Sequence, residues 1–234
     1  MEVLEIVQTN KTSKIAAITA IMITVATDAH IAITSPKLSA ILEIGTSSVE
    51  LWYSVSEEFE SALCETRCDA FVAGVLLYAI KAKEDISFET PITDELKESL
   101  EEEFLLAICD YNKEVFRPKL IGPVAPAIRK EKKVQGTGIS CGVDSLYTVI
   151  RRMVKSDKEN IKNYLAIFNH HGAVGKIGEE DSVERLARFN QLVARANEFS
   201  KETDIPLIVG DTNYNSGEIP NLFAEGNTTF VNLF

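Results

Sequence analysis

Apolar runs and polar breaks divide the chain into two unlike halves. The segment 15–27, IAAITAIMITVAT, is almost wholly apolar and rich in Ile and Thr, a composition that favours a buried strand. Lys11 and Lys14 precede it as they would the apolar core of a signal peptide, so a signal or anchor is the alternative. Asp28 and His30 close the run short of the roughly 20 residues a membrane span needs. Next, KLSAILEIGTSSVELWYSV, 37–55, predicts a hairpin, with two strand-like runs around GTSS. Over 56–83 the pattern turns helical, with Phe59, Leu63, Phe71, Val75 and Tyr78 near one face. A short strand is expected over Ile86–Phe88, and Pro91 then introduces a helix with Thr93 as N-cap and acids in its first turns.

The pattern changes over 117–133, RPKLIGPVAPAIRKEKK, where three prolines precede a basic cluster, as at a linker or domain edge. Beyond it strands and helices alternate. Strands are expected at Val134–Ile139, Tyr164–Phe168 and Pro206–Val209, and helices at about Ser145–Lys155 and Ser182–Glu202. In the second helix Leu186, Phe189, Val193, Ala196 and Phe199 keep helical spacing, so that face should lie on a sheet. The expected fold is therefore α/β: a parallel, doubly wound, Rossmann-like sheet over 127–234, preceded by a small α+β domain over 1–126.

Composition narrows the function classes. At 234 residues, 45% of them hydrophobic, the chain can bury a sizeable core. Its net charge of −11 repels phosphate at long range, which weighs against nucleic acid and anionic membranes as partners. Four scattered cysteines do not make a secreted disulfide framework, so a cytoplasmic location is expected. The cluster Arg129, Lys130, Lys132 and Lys133 and the acids of SLEEEF are most simply solvated faces. CETRC, 64–68, puts two thiols one helical turn apart, as on a buried helix face. His170 and His171 would point opposite ways and have no third ligand nearby in sequence.

The informative stretch is GTGISCGVDSLYTVI, 136–150, a small-residue loop between a predicted strand and a predicted helix. Ligands of parallel sheets bind beyond the carboxyl ends of the strands. Free amides at a helix start favour an anion there. Ser140 and Ser145 can donate hydroxyl hydrogen bonds, and Asp144 can hold Mg2+ against phosphates. A Walker loop would need a lysine, and a Rossmann loop would need glycine where Cys141 stands.

SCGVDS resembles the SGGxDS signature of the PP-loop ATP pyrophosphatases, the adenine nucleotide alpha-hydrolase-like superfamily. With LWYSV and CDAFVAGVL upstream it is similar to a bacterial group of that superfamily distantly related to queuosine-precursor synthases. The resemblance covers about 134–210, and the narrower one reaches back to about residue 37. It implies ATP and Mg2+ as cofactors, with Ser140, Cys141, Gly142, Val143, Asp144 and Ser145 around the phosphates, Asp144 on the metal, and Asp144 and Ser145 in the catalytic role. Phe168, Asn169 and His170 would meet adenine, and Asp211 and Asn213 an unknown small-molecule substrate. The implied reaction is attack of a substrate oxygen on the α phosphorus, release of pyrophosphate, and displacement of AMP to form an amide, nitrile or thio group. The family core has five parallel strands where three are predicted here, so the expectation is a fragment, a truncated product, or a protomer whose sheet a partner or second copy completes. The rival expectation is a non-catalytic nucleotide-binding or interaction module. Cys141 is most simply a small residue that fits the loop; sulfur transfer by its thiol, which a helix start would activate, is the alternative. If the loop needs positive φ at Cys141, the side chain costs about 1 kcal/mol.

Overall fold

The computed structural model describes residues 20–25, 36–127, 133–154, 161–169 and 183–214. The apolar run at the start contains strand β1 (Ala20–Val25), and the hairpin forms as β2 (Lys37–Ile44) and β3 (Ser47–Val55). Gly45, at φ 58, supplies the left-handed step in their turn.

The helix expected over 56–83 is broken. A 3-10 turn (Glu57–Ala62) ends at Leu63, whose backbone is extended, and helix α1 begins afresh at Asp69 and runs to Ala82. Cys68 sits at the N-cap, its N–H bonded to the Pro91 carbonyl and its thiol to the Thr90 carbonyl. Burial, then the neighbouring Asp69 carboxylate, pushes that thiol up to about 12. CETRC therefore is no helix face: Cys64 is exposed in the intervening loop while Cys68 is buried.

β4 (Asp85–Phe88), β5 (Ile92–Thr93) and α2 (Asp94–Glu98) follow, and Thr93 caps α2 by accepting the Leu96 N–H. A π-helical turn (Ser99–Phe104) leads into α3 (Leu105–Tyr111). The proline-rich stretch is more than linker, for it carries β6 (Leu120–Ile121) and β7 (Val124–Ala125). Then come β8 (Lys133–Gly138), α4 (Val143–Val149) with a π-helical turn (Ile150–Val154), β9 (Ile161–Phe168), α5 (Val183–Thr203) and β10 (Leu207–Thr212).

The architecture is mixed α/β. One sheet takes in eight strands in the order β6-β4-β1-β2-β3-β10-β9-β8 and so crosses from the first half of the chain to the second. β8, β9 and β10 are mutually parallel, and β10 joins β3 antiparallel, with Gly210 opposite Val55 and Thr212 opposite Tyr53. Alternation along each strand puts the two cores on opposite faces. On one face α1 packs Phe71, Val75 and Leu76 against Leu38, Leu42, Leu51 and Ile86. On the other, α4 and α5 pack Val149, Phe189 and Ala196 against Leu165, Ile167 and Leu207. No helix among the described residues is long and apolar enough to cross a membrane.

Where the halves meet, backbone contact is close. A Cβ on Gly210 would collide with the Phe168 ring and lie 2.5 Å from the Ser54 carbonyl oxygen. Past β10, Tyr214 crosses to the first core and donates its hydroxyl to the Gly74 carbonyl at 2.7 Å, beside Tyr53. Gly210→Ala should therefore cost about 2 kcal/mol or more in urea unfolding, since backbone on one side cannot yield. Burial raises both Tyr53 and Tyr214 above the ordinary tyrosine value of 10.0, and Tyr53 adds to the shift at Tyr214. Unfolding frees these protons, so their contribution is complete below about pH 10 and is lost as pH rises beyond it. Tyr214→Phe should flatten that alkaline loss, at a cost of about 1 kcal/mol at neutral pH for the missing hydrogen bond.

Candidate functional site

Three parallel strands end together at one edge of the sheet, and the sequence-predicted residues gather there. β8 ends at Gly138, β9 at Phe168 and β10 at Thr212. At about 4.8 Å per strand, the ends of β8 and β10 stand about 10 Å apart. Ile139, Asn169 and Asp211 share the face covered by α4 and α5, as the register and the packing of Leu165, Ile167 and Val209 require.

The loop after β8 turns sharply into α4. Cys141 takes the left-handed conformation at φ 55, and Gly142 follows as an extended N-cap with φ −83 and ψ 166. The helix thus begins at Val143, two residues earlier than the pattern predicts, which places both Asp144 and Ser145 in its first turn. Gly142 has no side chain with which to cap the helix. The two serines close the loop: Ser145 Oγ accepts the Ser140 N–H at 3.3 Å and lies 3.2 Å from Ser140 Oγ. Ser145 Oγ donates to the Gly142 carbonyl at 3.0 Å, and Ser140 Oγ accepts the Gly142 N–H at 3.4 Å. Three of these four contacts are longer than a strong hydrogen bond of their type, so exchange for a charged acceptor would cost little. Asp144 and Val143 are exposed.

Cys141 does not have the activated thiol expected beside a helix start. Its half-buried side chain packs against the second core, and desolvation raises its pKa, with Arg195 only partly offsetting the rise. That removes the electrostatic support for sulfur transfer.

At the ends of β9 and β10 the structure ties two predicted residues together. Asn169 is buried; its N–H bonds the Gly210 carbonyl at 2.9 Å and its Nδ2 donates to Asp211 Oδ2 at 3.3 Å. Asp211 Oδ1 accepts the Thr212 N–H at 2.8 Å. Phe168 lays its ring against Gly210. Asn213 faces the hairpin instead. Its Oδ1 accepts the Trp52 N–H at 2.9 Å and its Nδ2 donates to the Glu50 carbonyl at 2.7 Å, stitching the end of β10 to β3. His170 and His171 lie outside the described residues, as do Arg129, Lys130 and Lys132. Among the described residues no group of three or more His, Cys, Asp or Glu side chains could hold a metal.

Two contributors escape sequence reasoning. Arg185, in the first turn of α5, is buried and donates from Nη1 to Asn169 Oδ1 at 3.0 Å. The inward stripe of α5 includes Arg185, Phe189 and Ala196 with Leu192, Val193 and Phe199 half-buried, while Leu186 is left 41% exposed. A charged residue four positions before Phe189, on the apolar stripe, is the signal that was there to find. The second contributor is the hairpin: register sets Ser54 opposite Asp211 and Lys37 opposite Ser54, extending the polar row onto β3 and β2. Lys37 pairs with Glu50 at 2.9 Å and lies over the Trp52 ring. Burial raises the Glu50 carboxyl, but hydrogen bonds from Lys37 and Ser39 outweigh it and the net shift is downward.

Comparison of the chain with protein-family models, curated proteins and solved structures finds no match. At Cys141 the left-handed backbone leads to a direct stability comparison. Cys141→Gly should be more stable than Cys141→Ala by about 1 kcal/mol in chemical unfolding, because both lose the thiol but only alanine keeps a Cβ at positive φ.

Proposed function

We propose that the carboxyl edge of β8, β9 and β10 is an ATP site of the PP-loop kind, and that the chain transfers AMP to a small-molecule substrate with release of pyrophosphate. The observation that carries this is the turn after Ile139. A parallel strand ends there, Cys141 reverses the backbone, and a helix opens from a glycine N-cap with Asp144 and Ser145 in its first turn. Small side chains allow phosphate oxygens close to the main chain, and the helix start favours their charge. We take β8, β9 and β10, with α4 and α5 on one face, as half of a doubly wound sheet.

In this reading Ser140, Cys141, Gly142, Val143, Asp144 and Ser145 surround the β and γ phosphates. Amides and hydroxyls of the loop stabilise charge that gathers on the departing pyrophosphate. The exposed Asp144 carboxylate suits Mg2+, which is commonly held by one or two carboxylates together with substrate phosphates. When bound, the ion supplies charge neutralisation along the triphosphate. The backbone of Phe168 and Asn169 would sit toward adenine, and the Asp211 carboxylate toward the acceptor substrate, whose attacking oxygen displaces pyrophosphate from the α phosphorus. A nucleophile then releases AMP to leave an amide, nitrile or thio group.

One observation favours a second reading. Both loop hydroxyls are engaged within the loop, as they would be in a non-catalytic module that no longer takes up phosphate. Thermal and urea unfolding with Mg-ATP separates the two. A catalytic site gains about 2.7 kcal/mol at 100 times Kd, loses most of that in Asp144→Ala, and releases pyrophosphate when offered a suitable carboxylate. Equal unfolding with and without Mg-ATP at millimolar concentration, in wild type and variant alike, would overturn the ATP reading.

A further inference from the structure

Arg185 is an expensive residue to keep where it stands. It is 3% exposed, and a guanidinium withdrawn from water loses hydration that its partners must repay. It also lies in the first turn of the 21-residue α5, where the helix dipole disfavours a cation. An apolar residue on the same stripe would pack as well and avoid both costs. One of its partners, Asn169, suggests why it is retained.

Guanidinium groups only donate hydrogen bonds, whereas a carboxamide has an accepting and a donating end that can exchange by a flip. The bond from Arg185 Nη1 to Asn169 Oδ1, at 3.0 Å, admits only one of the two orientations. In that orientation Asn169 Nδ2 must face Asp211 Oδ2, and it does so at 3.3 Å. Asp211 Oδ1 meanwhile accepts the Thr212 N–H at 2.8 Å, so both carboxylate oxygens are engaged at the strand end. The contact chain joins α5 to the ends of β9 and β10, whose residues are 42 positions apart.

We propose that Arg185 is a positioning residue: by locking the carboxamide of Asn169 it sets both Asn169 and Asp211 for the ligand at the strand ends. This rests on the nucleotide reading for the identity of the ligand, but the lock itself does not.

The experiment uses the full chain in two measurements. In ligand-free urea unfolding, Arg185→Gln, Asp211→Asn and the double variant form a cycle. The double variant should shift the folding equilibrium less than the product of the single shifts, by at least about threefold. In calorimetric titration with Mg-ATP, Arg185→Gln should bind on the order of tenfold more weakly than wild type, as a misplaced contact would. Arg185→Lys, which keeps the charge and a donor for Asn169 Oδ1, should recover to within about threefold. If Arg185→Gln does not fold, Arg185→Met, which keeps the apolar stem but has no donor for Asn169 Oδ1, replaces it in both measurements. Additive single shifts would overturn the lock. Unchanged affinity in Arg185→Gln, or equal weakening in Gln and Lys variants, would overturn the positioning role. Absence of Mg-ATP binding by wild type would fall on the nucleotide reading, and the cycle alone would then decide the lock.

Discussion

The pairing of β10 with β3 holds the rest of the structure in place. It is short, with Gly210, Asp211 and Thr212 opposite Val55, Ser54 and Tyr53, yet it is the only ladder through which the sheet passes from hairpin to parallel strands among the described residues. Gly210 makes it possible, because any side chain there would meet the Phe168 ring on one strand and the Ser54 carbonyl on the other. Side chains then reinforce the seam: Thr212 Oγ1 donates to the Trp52 carbonyl, and Asn213 bonds backbone groups on either side of Leu51. Tyr214 drives the chain into the opposite core. The two cores lie on opposite faces of the sheet, so neither directly supports the other. The seam carries the coupling between them.

That seam also brings the candidate site together. Asp211 belongs to the strand that forms the seam, so its position depends on the hairpin as much as on the parallel strands. The row Asn169, Asp211, Ser54 and Lys37 runs across four strands drawn from both halves of the chain. A role for the first half follows: it supplies a polar shelf beside the strand ends. The loop after β8 contrasts with this arrangement, since its hydrogen bonds are local ones between Ser140, Gly142 and Ser145. The loop is thus closed near β8, while the far side of the site depends on the seam.

Much of this was legible residue by residue. The hairpin, the alternation of β8, α4, β9, α5 and β10, and the loop at the end of β8 all follow from short-range periodicity and turn chemistry. Misjudged elements share a cause. The helix over 56–83 has continuous apolar spacing, but the bonds of Cys68 to Thr90 and Pro91, more than 20 residues on, favour a restart at Asp69. On α5 four of the five expected positions, Phe189, Val193, Ala196 and Phe199, do face the core; Leu186 alone is turned out, and the neighbouring Arg185 is buried against Asn169. The Cys141 thiol is raised where a helix start would lower it, since its surroundings are the apolar core under α4 and α5.

Taken alone, the sequence determined which segments become strands and helices and where a tight small-residue turn must fall, because these depend on neighbours a few positions away. It also determined the net charge of −11. Only the tertiary structure decided that one sheet joins both halves, that Asn213 serves the seam, and that a buried arginine orients Asn169 toward Asp211. Those outcomes rest on contacts between residues from 16 to 163 positions apart, whose energies depend on burial and geometry that no local pattern encodes.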